Sequence, residues 1–307
     1  MSTTTPKRAA SSSPQRSSWR RPLIVLTVLV VLLGGGGYAA YSTYQHFVNR
    51  LLTVPGCQAG TGPDALQLDF GQAANAATIA GVAVRYHLPR EALTIAYATA
   101  MQESKLENLG YGDLDSVGVF QQRPSQGWGT AAQLQDPAFA ATAFFRALVK
   151  VPGYAKLPVY KAAQAVQHSA DGSAYQQYAQ AGAQLATYFT AAPHAVTCWY
   201  DPATQAASQG VSTRLNAKGA VRGLTDAFGP PGASGALRTV ATAGSAESQV
   251  LTVTTPNGWA VANWLVANAS SYGITRVRYG GYQWTASLTE TTWQTSPGGT
   301  ARGIVAS

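Results

Sequence analysis

Glu103-Ser104-Lys105-Leu106, followed by Gly112-Asp113-Leu114-Asp115-Ser116-Val117-Gly118-Val119-Phe120-Gln121-Gln122-Arg123-Pro124-Ser125-Gln126-Gly127-Trp128-Gly129, is the densest concentration of chemically useful side chains in the 307-residue chain. Just upstream, Pro89 stands where a helix can begin, and Leu93, Ala96, Tyr97, Ala100 and Met101 recur near helical spacing. Glu103 extends the stripe made by Ala96 and Ala100. The spacing therefore predicts a carboxylate at a helix end, turned toward apolar packing, with a polar, Gly-rich turn just beyond it. Desolvation favours the neutral form of a carboxylic acid, and a glycosidic oxygen leaves readily only beside an acid that still holds its proton. The stretch thus predicts a glycan-cleaving cleft with Glu103 as the acid.

Further helices are signalled on both sides of it. The Ala-rich run 72–86, Asp136 as a cap before Pro137, residues 158–167 and residues 173–189 complete a mainly helical domain over 57–200. Beyond Cys198 the composition shifts. Residues 201–235, rich in Ala, Ser, Gly, Gln and Thr and carrying Pro230-Pro231, read as a connector, with some order over 215–228. A small α+β domain is expected over 236–307, with strands at 250–254, 275–279 and 282–284 and a helix over 259–270 that turns Trp264, Leu265 and Ala269 to its apolar side. The fold class expected for the whole is α+β.

The N-terminus places this activity relative to a membrane. Lys7, Arg8, Arg16, Arg20 and Arg21 form a basic tail over 1–21, and no acidic residue precedes Asp64. Residues 22–47 then contain no Asp, Glu, Lys or Arg. A spanning helix needs about 20 mostly apolar residues, so 22–45 reads as a single-pass transmembrane anchor, weakened by the glycines at 34–37. The positive flank would keep the N-terminus in the cytoplasm and the rest outside. A cleaved signal peptide is the alternative, with Gly37-Tyr38-Ala39 as a loose cleavage site. Net charge is +8, but six of the 21 basic residues precede Cys57, leaving 15 against 13 acidic residues in the remainder. No basic stripe with interleaved aromatics marks a nucleic-acid surface.

Cys57 and Cys198, the only cysteines, bracket the segment holding Glu103. In an oxidising compartment they read as a disulfide tying the ends of one domain together, with two buried thiols as the alternative. None of His46, His87, His168 and His194 stands at metal-ligand spacing from another His or a Cys, so neither a metal nor a cofactor is expected. No Gly-x-Ser-x-Gly context supports a serine nucleophile.

These residues resemble a family. Glu-Ser followed by Gly118-Val119-Phe120-Gln121 is similar to the Glu-Ser and Gly-Leu-Met/Phe-Gln motifs of the lysozyme-like lytic transglycosylase domain and, more distantly, of goose-type lysozyme, over about residues 65–190. The longer string through Gln122-Arg123-Pro124-Ser125-Gln126-Gly127-Trp128-Gly129 resembles the version found in exported actinobacterial cell-wall proteins. A third family motif, Ala-Tyr-Asn, has Ala174-Tyr175 as its counterpart, with Gln176 in place of Asn. The resemblance implies cleavage of the β-1,4 bond between N-acetylmuramic acid and N-acetylglucosamine in peptidoglycan. Glu103 would protonate the leaving oxygen and then deprotonate the muramoyl 6-hydroxyl, giving a 1,6-anhydro product. A muramidase would instead require a second carboxylate, for which Asp113 and Asp115 are the candidates. Both are equally well read as turn formers.

For the remaining positions the readings divide. Ser104 either orients Glu103 or faces solvent, Gln121 either bonds an N-acetyl group or bridges backbone atoms, and Trp128 either stacks on a sugar or fills the core. Phe120, Gln122 and Tyr175 join them as candidate substrate contacts, and Gly118 is required for backbone geometry. The C-terminal module resembles one joined to such domains in actinobacterial proteins, whose relatives are similar to metal-dependent D-Ala-D-Ala peptidases. No His follows His194, so the module is expected to be non-catalytic, with Trp284 and Trp293 as either a sugar platform or core. Two classes of function remain open: a membrane-tethered peptidoglycan lyase or hydrolase serving wall remodelling or a secretion machine, and a non-catalytic wall-binding scaffold.

Overall fold

The computed structural model describes residues 54–168, 172–232, 235–245, 248–296 and 303–307. The expected basic tail and anchor lie outside these residues. Among those described, no helix is long and apolar enough to cross a membrane. The architecture is mixed α+β.

Two long helices form the centre of the helical part. α1 (Phe70–Arg85) begins in a reciprocal capping box, in which the Asp69 side chain accepts from Gln72 N and the Gln72 side chain accepts from Asp69 N. α2 (Arg90–Ser104) starts after Pro89 and buries Ala92 through Ala100 without interruption. The short α3 (Ala131–Leu134) leads into α4 (Pro137–Leu148), capped by Asp136 with Pro137 in its first turn as the sequence predicts. α5 (Val159–Gln167), a 3-10 segment over Ser173–Tyr178, and α6 (Ala179–Thr190) complete this part. α6 makes the most extensive packing on α2, where Gly182 lets the two backbones approach closely.

A three-stranded sheet, absent from the sequence expectation, closes one side. β1 (Gly56–Ala59) lies between β2 (Leu66–Leu68) and β3 (Val196–Trp199), all antiparallel. Cys57 and Cys198 face each other across β1 and β3 and form the expected disulfide. Closing a loop of 141 residues stabilises the fold by about 4 to 5 kcal/mol in the chain-entropy model.

In residues 201–235 the order expected over 215–228 is present as a helix, and a second helix stands where only connector is expected. In chain order they are α7 (Pro202–Gln209) and α8 (Ala217–Phe228). Ala217, Ala220, Leu224, Ala227 and Phe228 recur at helical spacing and are buried. α8 lies along α1, with Ala227 and Phe228 packed over Gly81. Small residues that read as flexible along the sequence here permit close helix packing.

The C-terminal part is a six-stranded antiparallel sheet in the order β4-β5-β9-β6-β7-β8, formed by β4 (Thr239–Ser245), β5 (Ser248–Thr254), β6 (Arg276–Tyr279), β7 (Tyr282–Thr285), β8 (Gln294–Thr295) and β9 (Ile304–Ala306). The expected strands at 250–254, 275–279 and 282–284 coincide with β5, β6 and β7. Between the sheet and α1 runs α9 (Gly258–Ala267), followed by α10 (Ala269–Tyr272). Nearly all of α9 is buried, as a helix that is apolar all round must be. Residues 54–307 form one compact unit.

Trp284 and Trp293 are core residues and not an exposed sugar platform, being 0% and 8% exposed. The Trp284 indole N–H donates to Cys198 O at 3.0 Å, and that of Trp293 donates to Val196 O at 2.8 Å. These carbonyls alternate along β3, the edge strand of the small sheet. Two indoles, Trp284 on β7 and Trp293 just before β8, therefore bond the edge that β1 leaves open.

Candidate active site

Glu103 occupies the last turn of α2. The helix is stopped by Lys105 and Leu106, both left-handed at φ 58° and 67°, and Leu106 N donates back to Ala100 O at 3.1 Å. Such conformations are costly for non-glycine residues. Here side chains of α1 secure them: Gln72 Nε2 donates to Lys105 O at 2.9 Å and Asn75 Nδ2 to Leu106 O at 2.7 Å. The end of α2, and with it Glu103, is fixed from two directions.

The turn after it is fixed through Ser104. This residue is buried, and its hydroxyl donates to Ala100 O at 3.1 Å and Val119 O at 2.8 Å. It contacts neither Glu103 nor solvent in these bonds, but joins the helix end to the turn. The residue after Glu103 thus positions the turn opposite it. Val117 and Gln122 exchange backbone hydrogen bonds at 3.0 and 3.1 Å to form the turn's base. Gly118, at φ +79°, is required there, because an added Cβ would lie 2.3 Å from Leu134 O.

The candidate substrate contacts separate once placed. Phe120 is fully buried and stacks on Phe144 with ring centroids 4.5 Å apart, so it is core and not a substrate contact. Gln121 bridges backbone atoms, donating to Gly118 O at 3.1 Å and Tyr111 O at 3.3 Å, while still lining the groove. Gln122 is 2% exposed and lines the groove; its Nε2 donates to Ala140 O, and its Oε1 has no hydrogen-bond partner among the described residues. Trp128 is half-buried, packing on the core while lining the same space.

That space is a groove of about 510 Å³. Glu103 is half-buried in it, in polar surroundings rather than the apolar packing its helical stripe predicts. α2 ends one residue later, at Ser104, so no following turn covers the side chain. The Tyr175 hydroxyl donates to Glu103 Oε1 at 2.7 Å. Gln167 Nε2 donates to the same oxygen at 3.2 Å and to Phe120 O at 2.8 Å, tying α5, the turn and the carboxylate together. Both donors converge on Oε1, and Oε2 has no hydrogen bond among the described residues. Gln167 had no sequence signal: it stands 64 positions from Glu103, and only the packing of α5 on α2 brings it there.

The two aspartates part company. Asp115 pairs with Arg123, Oδ1 to Nε at 2.8 Å, and accepts from Ser125 N at 2.7 Å and Ser125 Oγ at 2.9 Å. It is a loop former and does not line the groove. The Arg123 guanidinium, then the Ser125 N–H, hold its carboxyl down to about 2 from 3.8. A depressed folded value means these bonds stabilise the loop above roughly pH 4 and are lost as pH falls through about 2. Acid titration followed by the Ser125 amide NMR signal should show a midpoint near 2, abolished in Asp115→Asn. Asp113 is exposed and lines the groove with Glu103.

No protein-family model matches the chain, and no curated protein matches it.

Proposed function

We propose that the chain is a peptidoglycan lytic transglycosylase in which Glu103 is the single catalytic acid and base. The observation that carries this reading is the Glu103 carboxyl itself: Oε1 is held by Tyr175 and Gln167, and Oε2 has no hydrogen bond among the described residues, while the residue lines an open polar groove. One oxygen is fixed and the other is left for the substrate. Protonated Oε2 gives its proton to the glycosidic oxygen as the bond to the muramoyl anomeric carbon breaks. The resulting carboxylate then takes the proton of the muramoyl 6-hydroxyl, whose oxygen closes on that carbon. This cycle returns Glu103 to its starting state and needs no second carboxylate.

Asp113 supports a second reading. It lines the same groove with no side-chain hydrogen bond among the described residues, and a muramidase would use it to activate water or stabilise the sugar cation. In both readings the chain works outside the cytoplasmic membrane, tethered by the apolar segment within residues 22–45. Mass spectrometry of muropeptides released from purified peptidoglycan separates the two. Anhydro-muramoyl ends, unchanged in Asp113→Asn, are expected. Reducing ends that disappear in Asp113→Asn would replace the transglycosylase by a muramidase, and wall binding without release would leave a scaffold.

Tyr175 acts through Glu103 as a positioning residue. Tyr175→Phe should lower kcat about tenfold, the scale of one hydrogen bond to a carboxylate, with KM for glycan unchanged. A change confined to KM would return Tyr175 to substrate binding.

A further inference from the structure

Away from Glu103, a second concavity of about 460 Å³ opens where the end of α1, the length of α4 and the end of α8 meet. Arg85, Asp136, Phe139, Arg146 and Asp226 line it. Two guanidiniums and two carboxylates thus surround one groove. None of the four joins an ion pair, for the only one among the described residues is Arg123 with Asp115.

Their local commitments keep them apart. Asp136 caps α4, its Oδ1 accepting from Ala138 N at 2.9 Å. Arg85 lies over the Tyr86 ring, 5.3 Å from its centroid, and its Nη1 reaches the backbone carbonyl of Asp226 at 3.4 Å and not the carboxylate. The Asp226 carboxylate accepts no hydrogen bond among the described residues. Partial burial, and then the charge of Asp136, push its titration upward against the pull of Arg222 and Arg85. A groove that holds both signs of charge unpaired complements a ligand that carries both. The Phe139 ring supplies an apolar surface between them for aliphatic atoms.

The two grooves are neighbours. Gly129, at φ +145°, packs so closely on Phe139 that an added Cβ would lie 2.8 Å from its Cε1. The adjacent Trp128 lines the groove of Glu103. Trp128, Gly129 and Phe139 therefore form the divide between a polar groove suited to glycan and a mixed-charge groove suited to an amphoteric peptide.

We infer that the second groove binds the peptide branch of the wall polymer, an amphoteric peptide bearing an ammonium group and carboxylates, while the glycan lies against Glu103. The inference rests on the peptidoglycan reading above. The carboxylates of the peptide face Arg85 and Arg146, and its ammonium faces Asp136 and Asp226.

The test uses the full chain with a synthetic tripeptide, L-Ala-γ-D-Glu-L-Lys, and with peptidoglycan before and after amidase removal of its peptides. Arg146→Glu and Asp226→Lys each reverse one charge outside the groove of Glu103. Each should weaken tripeptide binding in calorimetry about tenfold, since an attraction across partly screened solvent becomes a repulsion. In the unmodified chain the tripeptide should shift the NMR signals of Arg85 and Phe139. Both variants should lose the preference for peptide-bearing over stripped glycan and cut stripped glycan at the unmodified rate. Absence of tripeptide binding, or equal binding in both variants, would overturn the inference whatever the activity. Tripeptide binding that depends on the reversed charges, in a chain that neither binds nor cuts stripped glycan, would instead retain the groove and remove the glycan reading.

Discussion

Glu103→Gln should reduce release of muropeptides from purified peptidoglycan by about 10²- to 10⁴-fold, the span contributed by a positioned general acid. Glutamine retains an oxygen for the Tyr175 hydroxyl to donate to, and the residue caps no helix start, so the circular dichroism spectrum and thermal midpoint should be unchanged. Wall binding should persist, because the groove lined by Gln121, Gln122 and Trp128 is untouched. The expected signature is therefore loss of turnover at constant affinity. Digestion at the unmodified rate would remove Glu103 from the chemistry and leave the groove as a binding surface.

Trp284→Ala should destabilise the unit of residues 54–307 by about 3 to 5 kcal/mol. The side chain is fully buried, and the Cys198 carbonyl on the outer edge of β3 loses its indole donor. Other bonds cross the same junction: Trp293 to Val196 O, Tyr200 Oη to Ile274 O at 3.0 Å, and Asn263 Nδ2 to Tyr188 O at 2.8 Å. Together with the burial of α9 between the sheet and α1, they predict one cooperative unfolding transition that moves as a whole to lower denaturant. Two separate transitions in the unmodified protein, only the later of them carrying the helical signal of α1 and α2, would show that the C-terminal sheet folds as an independent module.

The parts legible in the sequence were those set by neighbours a few positions apart. Asp136 followed by Pro137 marks the start of α4 because capping and the proline ring act within one turn. The helices starting after Pro89 and expected over 158–167, and the strands β5, β6 and β7, follow from local periodicity. Glu103 with Ser104, and Gly118 with Gln121, stood out as a constellation for a similar reason. The failures have an equally specific origin. Stripe geometry turns Glu103 toward apolar packing, but periodicity does not register that the helix stops one residue later. Order over 215–228 is legible, but the close packing of the small residues of α8 is not, because the face that it buries depends on α1, more than 130 positions earlier. Nothing near Asp113 or Asp115 distinguishes them; the contact of Asp115 with Arg123 and Ser125 requires the loop to be closed.

What the sequence by itself determined is the α+β class and most helix starts, which depend on residue type and short-range spacing; with only two cysteines in the chain it also left a single possible pairing, which the structure closes. Tertiary structure alone decided which oxygen of Glu103 is held and by what. It brought Gln167 and Tyr175 from other segments, assigned Asp115 to the loop and Asp113 to the groove, and spent Trp284 and Trp293 on the edge of β3. The physical reason is that hydrogen bonds and charge pairing act over a few ångströms in space, whatever the separation along the chain.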